Sequence, residues 1–271
     1  MLSRSGQSGR TTKRRLGALF GRTADDFCPP ASPLSLIEAE LLLQGPKPDL
    51  HWLGEVFKRE VSLAAQLLRG VNEELDGRDR LFRIEDCITH LGHDRLREML
   101  SNAEPLPKAA SCTGIFNPHI LLMHAQLTAL ASETIAFHMP GQNSEKAYIA
   151  GLLHNFDEFF PASAEDARDP QDKARNTVGA QLAASWSFPT FIVEIISWRY
   201  DPIQCPGDNL PLSCIVGAAC EWASTMVREL TLRSCSANSS PILKILQRHL
   251  SGFDMQDFDS LVVSLQSGLP T

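Results

Sequence analysis

Histidines and carboxylates close together in a chain are the raw material of metal-assisted hydrolysis. Imidazoles and an aspartate can hold a divalent cation that activates water against a phosphoester. The segment 151–160, GLLHNFDEFF, places His154 at the end of an apolar run and follows it with Asn155. A hydrolytic site would want an aspartate there, because an amide offers a neutral carbonyl and no anionic charge for a hard cation. Asp157 and Glu158 come next, and Asp157 falls one turn beyond His154 if the helix continues. His124 shares a helical stripe with Ile120, Leu127, Ala131 and Ile135, so it points inward. A metal site rearranged onto His124, His154, Asp157 and Asp201 is one reading of these residues. The other is a pair of buried, neutral histidines bonded to backbone, with His154 near a helix C-terminus and Asn155 in the left-handed turn that ends it.

The literal His93-Asp94 dipeptide is a decoy for the same chemistry. It follows Gly92 and opens the stretch DRLREML, where an aspartate satisfies free N–H groups and the helix dipole. The chain has no Gly-x-Gly-x-x-Gly, no phosphate loop ending in Gly-Lys-Ser/Thr, no Gly-x-Ser-x-Gly elbow and no His-Glu-x-x-His. Nucleotide cradles and serine triads therefore have no support. The seven cysteines are scattered, odd in number and form no Cys-x-x-Cys, a pattern that suits reduced thiols in a cytoplasm rather than a disulfide framework or zinc site.

At 271 residues, 43% hydrophobic and 21% charged, the chain can bury a sizeable core. Its formal charge of −7 argues against a nucleic-acid binder. Residues 1–24 nonetheless hold six basic side chains (Arg4, Arg10, Lys13, Arg14, Arg15, Arg22) and no acid. That composition reads as a tail, with an apolar run too short for a secretory signal. No integral membrane segment is expected, because the longest stretch free of Asp, Glu, Lys and Arg, 109–132, is interrupted by Gly114, Pro118, two histidines and Gln126.

The elements that must position these groups read as helices throughout, since alternating apolar runs joined by hairpin dipeptides are missing. Helices are expected over 34–43, 49–72 with Asp49 as N-cap, 84–91 and 94–101. The next is 117–138, with Asn117 as cap and Pro118 in the first turn, and then 144–154 capped by Ser144. Helical stretches follow at 171–186, 189–199, 210–233, 241–249 and 255–266.

Taken together, four segments resemble the HDOD domain, the HD-related output domain of bacterial signalling proteins. IEDCITHLGHDRLREML carries a Leu-Gly followed by Leu-Arg. HILLMHAQLTALAS matches the helix of the family's first histidine, which falls on His124. EKAYIAGLLHNFDEFF matches an Ala-Gly-Leu-Leu-His-Asp pattern, and VGAQLAASWSFPTFIVEII matches Val178, Gly179, Trp186 and Pro189. The resemblance implies an all-α, HD-like domain over 34–235, with an N-terminal helical part (34–115) and an HD-like part (116–235). A basic tail and Pro-rich linker (1–33) would precede it and a helical extension (236–271) would follow.

The departures from that pattern are as informative. Asn155 replaces the aspartate, Arg175 stands where many members have histidine, and Arg199-Tyr200 stands where they often have His-His. The pocket positions His124, His154, Asn155, Arg175, Arg199 and Tyr200 thus read as vestigial, with no catalytic residue, metal or cofactor expected. The arginines are either solvated at the surface or suited to an anion such as a phosphate, nucleotide or acidic peptide. The resemblance implies a non-catalytic, cytoplasmic bacterial regulator that binds other signalling proteins. A phosphohydrolase with a rearranged site is the alternative.

Overall fold

The computed structural model describes residues 29–45, 48–75, 80–106, 118–159 and 173–232, with side chains of the last segment described for 179–227. The basic tail up to residue 28, the Asn117 cap and the expected helices at 241–249 and 255–266 lie outside the described residues.

The described residues are helical and contain no strand. In chain order the helices are α1 (Pro33–Leu43), α2 (Leu50–Lys58), α3 (Val61–Glu74), α4 (Ile84–Leu91), α5 (His93–Ser101), α6 (Pro118–Phe137), α7 (Ser144–Leu153), α8 (Lys173–Ser185), α9 (Thr190–Trp198) and α10 (Leu210–Leu232). Short 3-10 turns lie at Phe156–Phe159, Pro202–Gln204 and Gly207–Asn209. An isolated bridge between Ala31 and Pro105 ties the entry of α1 to the exit of α5.

The helix expected over 49–72 is two helices. Asp49 does cap α2, its carboxylate accepting from the N–H groups of His51 and Trp52. The chain then leaves helical geometry at Glu60 (φ −120°, ψ 110°) before α3 begins. The reason is tertiary. Glu60 is 2% exposed and turns its carboxylate onto the start of α1, accepting from the Ser35 hydroxyl at 2.5 Å and the Ser32 N–H at 3.3 Å. It thereby satisfies a helix N-terminus whose own cap residue makes no side-chain bond. The carbonyls freed at the break are used as well. Tyr148 of α7 donates to Lys58 O at 3.0 Å and Gln126 of α6 donates to Arg59 O at 2.7 Å.

Burial raises the Glu60 pKa above 4.5, partly offset by its bonds to Ser35 and Ser32. A folded state that holds a proton more tightly than the unfolded chain gains stability below the unfolded value and loses it as pH rises through the folded one. Denaturation midpoints should therefore fall as pH rises from 4.5 through the raised Glu60 value. Glu60→Gln should flatten that part of the profile, and urea titrations of both proteins across the window check it.

The decoy dipeptide is resolved by geometry. Gly92 (φ 75°) occupies the N-cap of α5 and Asp94 sits exposed in the first turn. His93 instead bonds Leu43 O at 2.8 Å, and Arg97 donates to the same carbonyl at 2.9 Å, so both close the C-terminus of α1.

α6, α7 and α10 pack along one another and form the centre of the second half. Their buried residues include many small ones: Ala125, Ala129, Ser132 and Ala136 on α6, Ala147, Ala150 and Gly151 on α7, Ala219 and Ala223 on α10. The N-cap of α7 is Asn143, which accepts from the Lys146 N–H at 2.8 Å, and not Ser144. Two stretches, Pro118–Phe137 and Gly207–Val227, are long and apolar enough to cross a membrane by length and composition. Core helices of a bundle meet the same test, and 50% of one span and 67% of the other are buried inside the protein.

Candidate functional site

The site forms where α6, α7 and α10 meet the 3-10 turn Phe156–Phe159 and the end of α9. His124 stands on α6, His154 caps the C-terminus of α7, and Cys220 comes in from α10. The two imidazole centroids are 5.3 Å apart. His154 is 2% exposed and its Nδ1 lies 2.7 Å from Gly151 O. A carbonyl only accepts, so Nδ1 carries the proton and Nε2 the lone pair. His124 Nε2 contacts Ser224 Oγ at 3.0 Å, Cys220 O at 3.4 Å and Cys220 Sγ at 3.8 Å. Burial lowers the His124 pKa and pushes that of His154 well below 6.5, with His124 and Arg199 adding to the second shift. Both rings are therefore neutral at physiological pH, and burial pushes the Cys220 thiol up to about 12.

The chain turns directly from α7 into Phe156–Phe159. Ser187 is the only non-glycine residue with positive φ among the described residues, so Asn155 does not adopt the left-handed turn expected of it. Asn155 is buried, and its side-chain oxygen has no hydrogen-bond partner among the described residues. Phe156 anchors the turn against the α8–α9 corner, with ring centroids 5.1 Å from Phe188 and 5.6 Å from Trp186.

That anchoring carries Asp157 inward to Arg199. Arg199 Nη1 donates to Asp157 Oδ1 at 2.6 Å and Nη2 to Oδ2 at 3.3 Å, and Nη2 is ion-paired with Glu158 Oε1 at 3.5 Å, with Arg199 and Asp157 side chains each 4% exposed. Nη1 also reaches His154 O at 3.3 Å. Burial opposes the Arg199 charge, but Asp157 and Glu158 more than offset it and hold the guanidinium above its ordinary range. Arg199 is thus neither a solvated surface residue nor a free anion receptor. Gly179, the glycine of the Val-Gly pair, explains the close fit, since a Cβ there would lie 2.6 Å from Asp157 Oδ2.

Tyr200 is partly exposed and its ring lies under Arg199, 4.9 Å from the guanidinium carbon. Arg175 lies on α8, but its side chain is outside the described residues. The four-residue metal set splits. Among the described residues the atoms that come within 4.8 Å of one another belong to His124, His154 and Cys220, while Asp157 is tied to Arg199 and Asp201 stays out of the group. The hard divalent cation of HD hydrolases does not fit these residues. Its aspartate is an amide, and the carboxylate of Asp157 is held by Arg199. Sequence reasoning missed Cys220 and the Arg199–Asp157 pair. An inward-facing cysteine on the apolar helix 210–233 was the available signal for the first.

A family model described as HDOD domain matches residues 30–168, just over half of the 271 residues. The chain belongs to the HDOD family. The matched stretch includes His124 and His154 and ends before Gly179, Arg199 and Cys220. Among solved structures, the HDOD chain is similar to the MmoQ response regulator from Methylococcus capsulatus str. Bath. The two share 18% identity over 87% of this chain and 98% of that one, with a TM-score of 0.67. It is also similar to an HDOD domain protein of unknown function from Geobacter sulfurreducens (21% identity, 96% and 97% of the two chains, TM-score 0.48). A putative metal-dependent phosphohydrolase from Shewanella amazonensis SB2B matches at 14% identity, 84% and 89% coverage and a TM-score of 0.34. No curated protein matches the chain.

Proposed function

We propose that this HDOD chain is a non-catalytic regulatory scaffold of a bacterial cytoplasm that works by binding another signalling protein. The observation that carries this reading is the buried Arg199–Asp157 pair. In a metal phosphohydrolase an inward carboxylate beside the histidines would serve the cation or position water. Here its charge is spent inside the protein, on a guanidinium that also props the backbone of His154. With Asn155 supplying no negative charge, the frame is kept and the means of activating water are gone. HDOD membership and the similarity in fold to MmoQ, described as a response regulator, fit a regulatory role.

The surface supports a protein partner over a small anion. Leu34, Ile37 and Leu41 form an exposed apolar stripe on α1 at helical spacing. A phosphate-type ligand, by contrast, would have to displace two carboxylates to reach Arg199. The test is turnover of phosphomonoesters, phosphodiesters and cyclic dinucleotides by the full chain with Mg, Mn and Fe(II) added. The expected result is hydrolysis no faster than in buffer. Turnover that disappears in His154→Ala overturns the proposal.

A further inference from the structure

We propose that His124, His154 and Cys220 form a binding site for a thiophilic d10 cation of the zinc(II) class. The donors come from three different helices and converge without a sequence motif. One ligand atom from each lies within 4.8 Å of the others, and His124 Nε2 and Cys220 Sγ are 3.8 Å apart. In a tetrahedral site with metal–nitrogen bonds of about 2.0 Å and a metal–sulfur bond of about 2.3 Å, donor atoms lie roughly 3.5 Å apart. The existing spacing needs only a small contraction of the side chains.

Two features go beyond proximity. His154 Nδ1 is tied to Gly151 O at 2.7 Å, a bond that fixes the tautomer of the ring and leaves Nε2 free for a metal. Asn155, next in the chain, keeps a buried side-chain oxygen with no partner among the described residues. The donor set also selects the cation. Two imidazoles and a thiolate favour a soft or borderline ion over magnesium or manganese, the reverse of the preference of a carboxylate-rich hydrolase site. Arg199 does not repel such an ion outright, because Asp157 and Glu158 already balance its charge. On binding, the Cys220 thiol gives up its proton to solvent, and the proton that His124 Nε2 directs at the Cys220 carbonyl is lost to solvent while Nδ1 takes one up, so that Nε2 turns its lone pair to the ion. No bond is made or broken beyond these, and no electron moves. Water can take the fourth position.

The inference stands apart from the regulatory reading, since neither hydrolysis nor a partner is needed to observe it. The experiment is a titration of the chelator-stripped full chain with cobalt(II), a spectroscopic stand-in for zinc, followed by competition with zinc(II). One equivalent should produce tetrahedral d–d bands and a sulfur-to-cobalt charge-transfer band, both erased by one equivalent of zinc. Cys220→Ser should remove the charge-transfer band. His124→Gln, at a partly exposed position, should weaken uptake by at least about tenfold, since losing even a residue that only supports a ligand costs that much. Circular dichroism confirms that each variant keeps its helices. Failure to take up either metal overturns the proposal. So does a charge-transfer band that survives Cys220→Ser, which would assign it to the other six cysteines, or one that His124→Gln leaves unchanged.

Discussion

Replacing Arg199 with methionine should cost about 3–5 kcal/mol of folding stability, the range for removing one partner of a buried pair. Methionine keeps most of the volume, so the loss measures charge rather than a cavity. Asp157 would remain 4% exposed against the backbone of Gly179 with no cation to answer it, and Glu158 is too exposed to have relied on the pair equally. Asp157→Asn should be costly in the same way, because it leaves the guanidinium with Glu158 alone. The double variant Arg199→Met/Asp157→Asn should recover a large part of the sum, since a neutral pair in the interior carries no unpaid desolvation. Urea denaturation of the four proteins forms a double-mutant cycle. A coupling below about 0.5 kcal/mol, the additive limit for independent sites, would show that the pair does not hold the turn in place.

Gly151→Ala should destabilise by about 3 kcal/mol, the upper end for overpacking a core. In an ordinary helix interior the same change stabilises by about 1 kcal/mol, so the sign is the test. A Cβ on Gly151 would come within 2.8 Å of Ser132 Oγ, 2.9 Å of Ala129 Cα and 2.9 Å of Thr128 O. Two of these atoms are backbone of α6 and cannot swing aside. The helices would have to separate, and His154, three residues on, would be drawn away from His124. Thermal melts of the variant and the parent decide it, and a raised melting temperature would contradict the close approach of α6 and α7.

The helices were legible because their ends carry local signals. Asp49, Gly92 and Pro118 mark boundaries through capping and backbone geometry that depend on immediate neighbours. The break at Glu60 was not, since its cause is a carboxylate reaching α1 across 25 residues. The inward side of His124 followed from its helical stripe, and its pairing with His154 from the resemblance. What escaped was the partnership of Arg199 with Asp157, 42 residues apart and dependent on how a four-residue 3-10 turn is anchored by Phe156. Cys220 escaped for a related reason: its only link to the histidines is the packing of α10 on α6.

The central claim is that this pocket has exchanged a hard-cation hydrolytic centre for an internal ion pair. Elemental analysis of the purified full chain, incubated with manganese and then desalted, tests it most directly. The account predicts far less than one equivalent of manganese, unchanged by His154→Ala. One equivalent of manganese per chain, lost in His154→Ala, would contradict it.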